Sequence, residues 1–396
     1  MGLIKTMSGQ FAKIKVLGVG GGGNNAVNSM ISEDSINGVD FVAINTDSQA
    51  LLNSLAPIKI QIGDKLTKGL GAGGNPQIGQ NAAEESREKI KEILTGTDMV
   101  FITGGMGGGT CTGAAPIIAE IAKKELGILT IAVVTKPFLF EGTRRMTNAE
   151  EGISLLRNNV DTLVVIPNQK VMDVVNNQAT LLEAFKIADS VLNKGTKAIS
   201  DLITIPGLIN LDFADIKSIM SNAGSALMGV GEAEGENRVQ EAVESAIASP
   251  LVEVNIEGAR GVLINITGGP DLTMAEIETA AQAITEKTSP DCNIIFGANI
   301  DHNIKGTIKI SVIATGFDPN HSRIFSSTVK PIYSNTPKPF LQKISDDDKD
   351  ENDLKKDSPK DNNLDIDQYL DENELPAGVD IVDEFDIPAF MRKNKK

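Results

Sequence analysis

Three glycine-rich segments carry most of the chemistry legible in this sequence. Gly18-Val19-Gly20-Gly21-Gly22-Gly23 satisfies G-x-G-x-x-G directly after an apolar run. That pattern serves either a tight strand-to-helix turn or a dinucleotide site. Asp47 falls near the end of the next apolar run, where a ribose-binding acid would stand in the dinucleotide reading. The second segment is Gly69 to Pro76 (GLGAGGNP), and the third is Gly104 to Gly113 (GGMGGGTCTG). In the third, glycines let successive N–H groups converge on one anion. The apolar helix expected over Ala114 to Ala122 adds partial positive charge at its N-terminus, and Thr110 and Thr112 add hydroxyl donors. No Gly-Lys-Ser/Thr follows, so this is not a Walker A loop. A dinucleotide enzyme needs one such loop; two phosphate-type loops with Gly71 to Gly74 point to an oligophosphate held from several sides.

Holding these loops requires a scaffold. Lys13–Val19, Val39–Ile44, Asp98–Ile102, Leu129–Val134 and Leu163–Ile166 read as strands, with helical spacing at Asn25–Ile31 and Ala82–Leu94. Alternating strands and helices predict a parallel sheet covered on both faces, with the ligand at the carboxyl ends of its strands. Each glycine loop is expected to follow a strand, which gathers all three on one rim. Leu181, Leu182, Phe185, Ala188, Val191, Leu192, Ile199 and Leu202 mark one long helix from Thr180 to Ile203, apolar enough to pack between two bodies. A second, smaller α/β unit follows, with strands at Gly261–Thr267 and Thr307–Ala314 and helices at Arg238–Ala248 and Met274–Glu286.

The composition narrows the class. The 396 residues are 41% hydrophobic and 23% charged, the balance of a soluble globular protein. The formal net charge of −16 repels nucleic acid and anionic membrane, so neither is expected as a primary partner. Cys111 and Cys292 fit a reducing compartment better than a disulfide framework. No apolar run reaches membrane-spanning length and no signal peptide is evident, so a cytoplasmic protein without membrane insertion is expected. Residues 319–380 are rich in Asp, Lys, Asn, Ser and Pro and read as a disordered acidic linker.

At four places in order the sequence resembles the FtsZ family of bacterial tubulin-like division GTPases. Gly107 to Gly113 (GGGTCTG) is similar to the family signature GGGTGTG, and Gly20 to Asn25 to its first nucleotide loop. Asn210 to Asp215 (NLDFAD) is similar to its catalytic loop, and DIPAFMRK at 386–393 to its C-terminal recognition peptide. The resemblance implies a Rossmann-like GTPase domain joined by a long central helix to a second α/β domain. It divides the chain into an arm (1–11), a GTP-binding domain (12–179), the central helix and its connection (180–209), a GTPase-activating domain (210–318), the linker (319–380) and a partner-binding peptide (381–396). It places Gly21, Gly22, Gly23, Asn24 and Asn25 at the phosphates of GTP or GDP, with Gly73 and Gly107, Gly108, Gly109, Thr110, Cys111 and Thr112 closing around them. Glu141 and Arg145 approach ribose and phosphate, and Asn45 and Thr135 complete the set. Asn168, Phe185 and Asp189 hold guanine. A carboxylate at 189 would accept from guanine N1–H and its 2-amino group together, which adenine does not offer. Mg²⁺ is expected mainly through phosphates and water. Cys111 departs from the family glycine; a positive φ there would strain its Cβ, and a thiol beside phosphate would be open to oxidation.

The same resemblance assigns catalysis to Asn210, Asp212 and Asp215, although Asp212 and Asp215 also have the spacing of a helix N-cap and its third residue. If Asp189 touches the base, the helix rises roughly 20 Å from there to Ile203, at about 1.5 Å per residue. The two carboxylates then lie too far to order water on their own subunit's nucleotide, and they would serve a neighbour's. Head-to-tail stacking of that kind is heterologous and propagates as a filament, so the first expected partner is a second copy of the chain. The implied role is the division-site polymer, with membrane tethers of the FtsA type bound through 386–393. Two other readings are a dinucleotide oxidoreductase, poorly supplied with only His302 and His321, and a GTP-binding polymer with little turnover.

Overall fold

The computed structural model describes residues 12–33, 36, 38–170, 180–204, 209, 212–247, 256–302 and 304–317. The expected N-terminal arm, acidic linker, C-terminal peptide and Asn210 lie outside them. Six strands, β1 (Ile14–Val19), β2 (Val39–Asn45), β3 (Ile58–Gln61), β4 (Met99–Gly105), β5 (Leu129–Lys136) and β6 (Thr162–Pro167), pair in parallel in the order β3-β2-β1-β4-β5-β6. Both faces are covered, which is why these strands read as continuous apolar runs. Side chains alternate between two cores. Val16, Phe101 and Val133 face α1 (Gly20–Ser32) and α8 (Leu181–Thr204). Leu17, Ile102 and Val134 face α4 (Pro76–Glu85), α5 (Arg87–Leu94), α6 (Thr110–Glu120) and α7 (Thr143–Arg157). Two short helices, α2 (Ser48–Leu52) and α3 (Asp64–Thr67), flank β3.

The second half contains α9 (Phe213–Met220), β7 (Gly224–Glu234), α10 (Arg238–Ile247), β8 (Gly261–Gly268), α11 (Met274–Thr285), β9 (Asn293–Ile300) and β10 (Thr307–Thr315). Strand β10 runs antiparallel to both β7 and β8, and β8 pairs with β9 in parallel. The start of β7 pairs with β6 over Thr162–Val164 and Gly224–Ala226, which joins the strands into one ten-stranded sheet. Helix α8 lies where the two halves meet. Its Val191, Leu192, Ile199 and Leu202 share a core with Ile216, Met228, Leu263 and Ile313 of the second half, as the apolar stripe predicts. Asn193 Nδ2 donates to Glu33 Oε2 at 2.6 Å, tying the helix to the end of α1.

Three expectations are corrected. Helix α1 starts at Gly20, five residues before the expected Asn25, so the first glycine run is a helical turn. The cause is packing: a Cβ on Gly23 would lie 2.4 Å from Thr103 O, so only glycine lets α1 sit this close to β4. The run Ala82–Leu94 is two helices broken at Ser86, whose Oγ accepts from Gly63 N at 3.1 Å. The second glycine loop follows α3 instead of a strand. It still reaches the rim, because Ser48 N donates to Gly69 O (3.1 Å) and Gly71 N to Thr46 O (3.2 Å), pinning it to the end of β2.

Candidate active site

Strand β1 pairs with β2 on one side and β4 on the other. At this switch point the connections leave in opposite directions and open a crevice beyond the strand ends. A cavity of about 460 Å³ occupies it. Gly21, Gly22 and Asn25 line it from the first turns of α1, Gly108 and Gly109 from the β4–α6 connection, and Thr110 and Cys111 from the first turn of α6. These are two helix N-termini, whose first N–H groups lack helical acceptors and favour an anion. Thr135 at the end of β5, Glu141 and Arg145 form the middle, and Asn168, Phe185 and Asp189 the far end.

Six other proposed nucleotide residues do not line the cavity; five of them stand in or beside its wall. Gly23 and Asn24 are buried. With its amide turned so that nitrogen faces the carbonyls, Asn24 Nδ2 donates to Gly18 O (2.8 Å) and Gly20 O (3.3 Å), and its Oδ1 accepts from Asn45 Nδ2 (3.2 Å). Asn45 Oδ1 accepts in turn from Thr46 N at 2.9 Å and Asp47 N at 3.2 Å. Thr112 Oγ1 accepts from Gly107 N at 2.9 Å, holding the turn in which Gly107 adopts φ 97°. Gly73 is exposed in the second loop, also with positive φ.

The far end of the cavity combines polar groups with an aromatic ring. Asn168 is buried, and its Oδ1 has no hydrogen-bond partner among the described residues. Such an orphan costs free energy unless a ligand donor meets it. Burial raises the Asp189 carboxyl to about 6, because low-dielectric surroundings penalise its charge. Phe185, 39% exposed, meets Phe138 edge-on at 5.3 Å and leaves a ring face available for stacking. Glu141 accepts from Phe138 N at 2.9 Å and pairs with Arg145, which fixes both over the cavity middle.

Cys111 is not strained: it lies in the first turn of α6, and the described non-glycine residues with positive φ are Lys68 and Asn222. Nor is its thiol activated. Burial pushes it up to about 12, and Sγ sits 3.8 Å from Met106 Sδ. Asp212 and Asp215 are absent from the cavity lining. They form the capping box of α9: Asp215 N donates to Asp212 Oδ1 (2.8 Å) and Asp212 N to Asp215 Oδ2 (3.4 Å). Both side chains remain exposed.

Gly20, Gly105, Met106, Pro137, Ala188 and Leu192 also line the cavity and were not among the expected site residues. For all but Pro137 a signal existed: Gly20, Gly105 and Met106 belong to the glycine segments, and Ala188 and Leu192 fall three and seven residues after Phe185, on the helix face that carries Asp189.

Strand order 3-2-1-4-5-6 is shared with dinucleotide enzymes, so topology alone does not separate the readings. Residues 13–176 match the Tubulin/FtsZ family GTPase domain. Fold and site therefore define a GTPase of the tubulin/FtsZ class, and the oxidoreductase reading falls. Residues 224–318 match the FtsZ family C-terminal domain. FtsZ from M. jannaschii, solved as an empty dimer, is 50% identical over 78% of this chain and 89% of that one, with a TM-score of 0.74. A point variant of that FtsZ gives the same identity and score over 92% of its length. CetZ2 from Haloferax volcanii, solved as a GTPγS-bound protofilament, shares the fold at 18% identity, covering 78% of this chain and 94% of that one, TM-score 0.66. The chain belongs to the FtsZ family. Among the described residues, no helix is long and apolar enough to cross a membrane.

Proposed function

We propose that this chain is the GTP-hydrolysing filament protein of bacterial cell division, with each active site completed by the next subunit. The observation that carries the reading is the separation of two half-sites. One is a cavity with phosphate-type N–H groups at one end and Asn168 with Asp189 at the other; the second is an exposed Asp212–Asp215 pair outside it. Asp189 and Thr204 are both on α8, whose rise puts ~22 Å between them at about 1.5 Å per residue, with α9 later still. Self-association is supported by the relatives solved as a dimer and as a protofilament.

In this reading GTP lies with its phosphates on Gly21, Gly22, Asn25 and Gly108–Thr110, and Arg145 adds positive charge near the ribose. Guanine stacks on Phe185. Its N1–H and 2-amino group donate to the Asp189 carboxylate, and Asn168 Oδ1 accepts a further ligand proton. Gly23, Asn24, Asn45, Gly73, Gly107 and Thr112 hold the loops in shape. Among the described residues no cluster of three or more metal-binding side chains occurs. Mg²⁺ would arrive with the nucleotide, held by phosphate and water oxygens, and would supply charge neutralisation. Asn210, Asp212 and Asp215 of the adjoining subunit position and polarise the attacking water. Residues 386–393 bind an FtsA-type tether and the linker acts as a leash, so the polymer gathers in the cytoplasm at the division site.

The test is phosphate release from GTP against protein concentration, with sedimentation on the same samples. A shared threshold for release and pelleting supports the trans site. Release strictly proportional to protein, without polymer, defeats it. Pelleting without release identifies a GTP-binding polymer with little turnover.

A further inference from the structure

We infer that Thr46 is a positioning residue for GTP, acting through the hydroxyl of Thr110; the inference rests on the proposed reading of the cavity as a GTP site. Thr46 is wholly buried and does not line the cavity, whereas Thr110 does. Their Oγ1 atoms lie 2.7 Å apart, a hydrogen bond in which either hydroxyl can donate. A hydroxyl has one proton and two lone pairs. If Thr110 donates to Thr46, it presents only lone pairs to the cavity and repels an anion. If Thr46 donates, the Thr110 proton is released toward the cavity and meets a phosphate oxygen. Bound phosphate selects the second arrangement, in which the bond from Thr46 holds the Thr110 hydroxyl with its proton turned toward the cavity.

The surroundings of Thr46 show why this residue can set that geometry. Its backbone N–H donates to Asn45 Oδ1 at 2.9 Å, and Asn45 Nδ2 reaches Asn24 in the first glycine turn. Its carbonyl accepts from Gly71 N (3.2 Å) and Thr67 Oγ1 (3.2 Å), which anchor the second glycine loop. Its hydroxyl meets the third. One buried residue thus touches or adjoins all three loops, and a hydroxyl held by two backbone anchors loses little further freedom in orienting Thr110.

The experiment measures GTP and GDP dissociation constants, below the assembly threshold, for Thr46→Val, Thr46→Ala, Thr46→Ser, Thr110→Val and Thr46→Val/Thr110→Val. Thermal unfolding of each empty protein is measured alongside. Loss of the Thr46 hydroxyl is expected to weaken GTP binding about tenfold, and serine to restore it. In the Thr110→Val background the Thr46 change is expected to have no further effect, the signature of residues acting as one unit. Equal effects of Thr46→Val in both backgrounds, following the loss of thermal stability, would mean a structural role only and overturn the inference. Normal binding by Thr46→Ala or Thr46→Val would also overturn it, so one folded variant suffices. If Thr110→Val itself binds GTP normally, the placement of phosphate is wrong and the proposed site reading fails, which separates the two failures.

Discussion

Asp189 concentrates two opposing demands in one side chain. Its burial raises the carboxyl to about 6, so in the empty protein the charged form is destabilising above that pH. The folded value lies above the unfolded one. The folded state therefore holds the extra proton between about pH 4 and 6, and stability attributable to this group is lost as pH rises through 6. Asp189→Asn should accordingly raise the melting temperature of the nucleotide-free protein at pH 7.5, with the gain roughly halved at pH 5 and gone below about pH 4. The same change should weaken GTP binding at least tenfold and improve XTP binding, because an amide donates where xanthine carries an oxygen. In the parent, GTP affinity should fall as the pH is lowered through 6. Melting curves and equilibrium binding at three pH values check this. Cys111 illustrates the converse case, a conspicuous residue with a quiet environment. Its raised thiol and contact with Met106 predict little alkylation at Cys111 in the native protein at pH 8, against the partly exposed Cys292, and full alkylation of Cys111 after unfolding. Cys111→Gly should cost about 1–2 kcal/mol from the helix and the lost side chain without raising turnover.

Elements set what the loops can be. Helices α4 and α6 cross so closely that a Cβ on Gly113 would lie 1.9 Å from Pro76 O. Gly113, which reads as the end of a phosphate loop, is thus a helix contact. Gly113→Ala should destabilise by about 1–3 kcal/mol through overpacking and weaken GTP binding by displacing the second glycine loop, as denaturation and binding measurements would reveal. The α9 cap separates shape from charge. Asparagine caps as well as aspartate, whereas alanine forfeits the cap at about 1 kcal/mol. Asp212→Asn should therefore melt like the parent yet lose GTP turnover at least tenfold, while Asp212→Ala loses both. Equal turnover in Asp212→Asn and parent would leave this carboxylate as a cap alone.

At the scale of the whole molecule, the proposed division of the site between the cavity and the exposed Asp212–Asp215 pair would make activity a property of a junction. A subunit with Asp189→Asn retains a working catalytic loop, and one with Asp212→Asn retains a working cavity. Mixed together they should hydrolyse GTP faster than the sum of the two measured alone, because some junctions then contain both intact halves. A strictly additive rate would mean that each subunit works by itself.

Much of this organisation is local in origin and legible in the sequence. Parallel strands announce themselves as doubly buried apolar runs, and the long helix announces itself by its stripe. The order of the glycine loops, with NLDFAD after them, points to the FtsZ family. The gathering of the first and third glycine segments at one end of the cavity was readable for the same reason: N–H groups at glycines and helix starts belong to contiguous chain. What depended on contact between distant segments was hidden. Gly23 and Gly113 look like ligand glycines until Thr103 and Pro76 are seen against them. That Asn24 and Asn45 are bonded to each other is not visible in their types or spacing. Cys111 looks reactive until its burial is known. Thr46, in an unremarkable Asn-Thr-Asp triplet, meets Thr110 only because β2 and α6 end on the same rim. Residue type and spacing determined which chemistry was present; tertiary packing decided which of those groups face the ligand, because desolvation and close approach are properties of neighbours that sequence order does not specify.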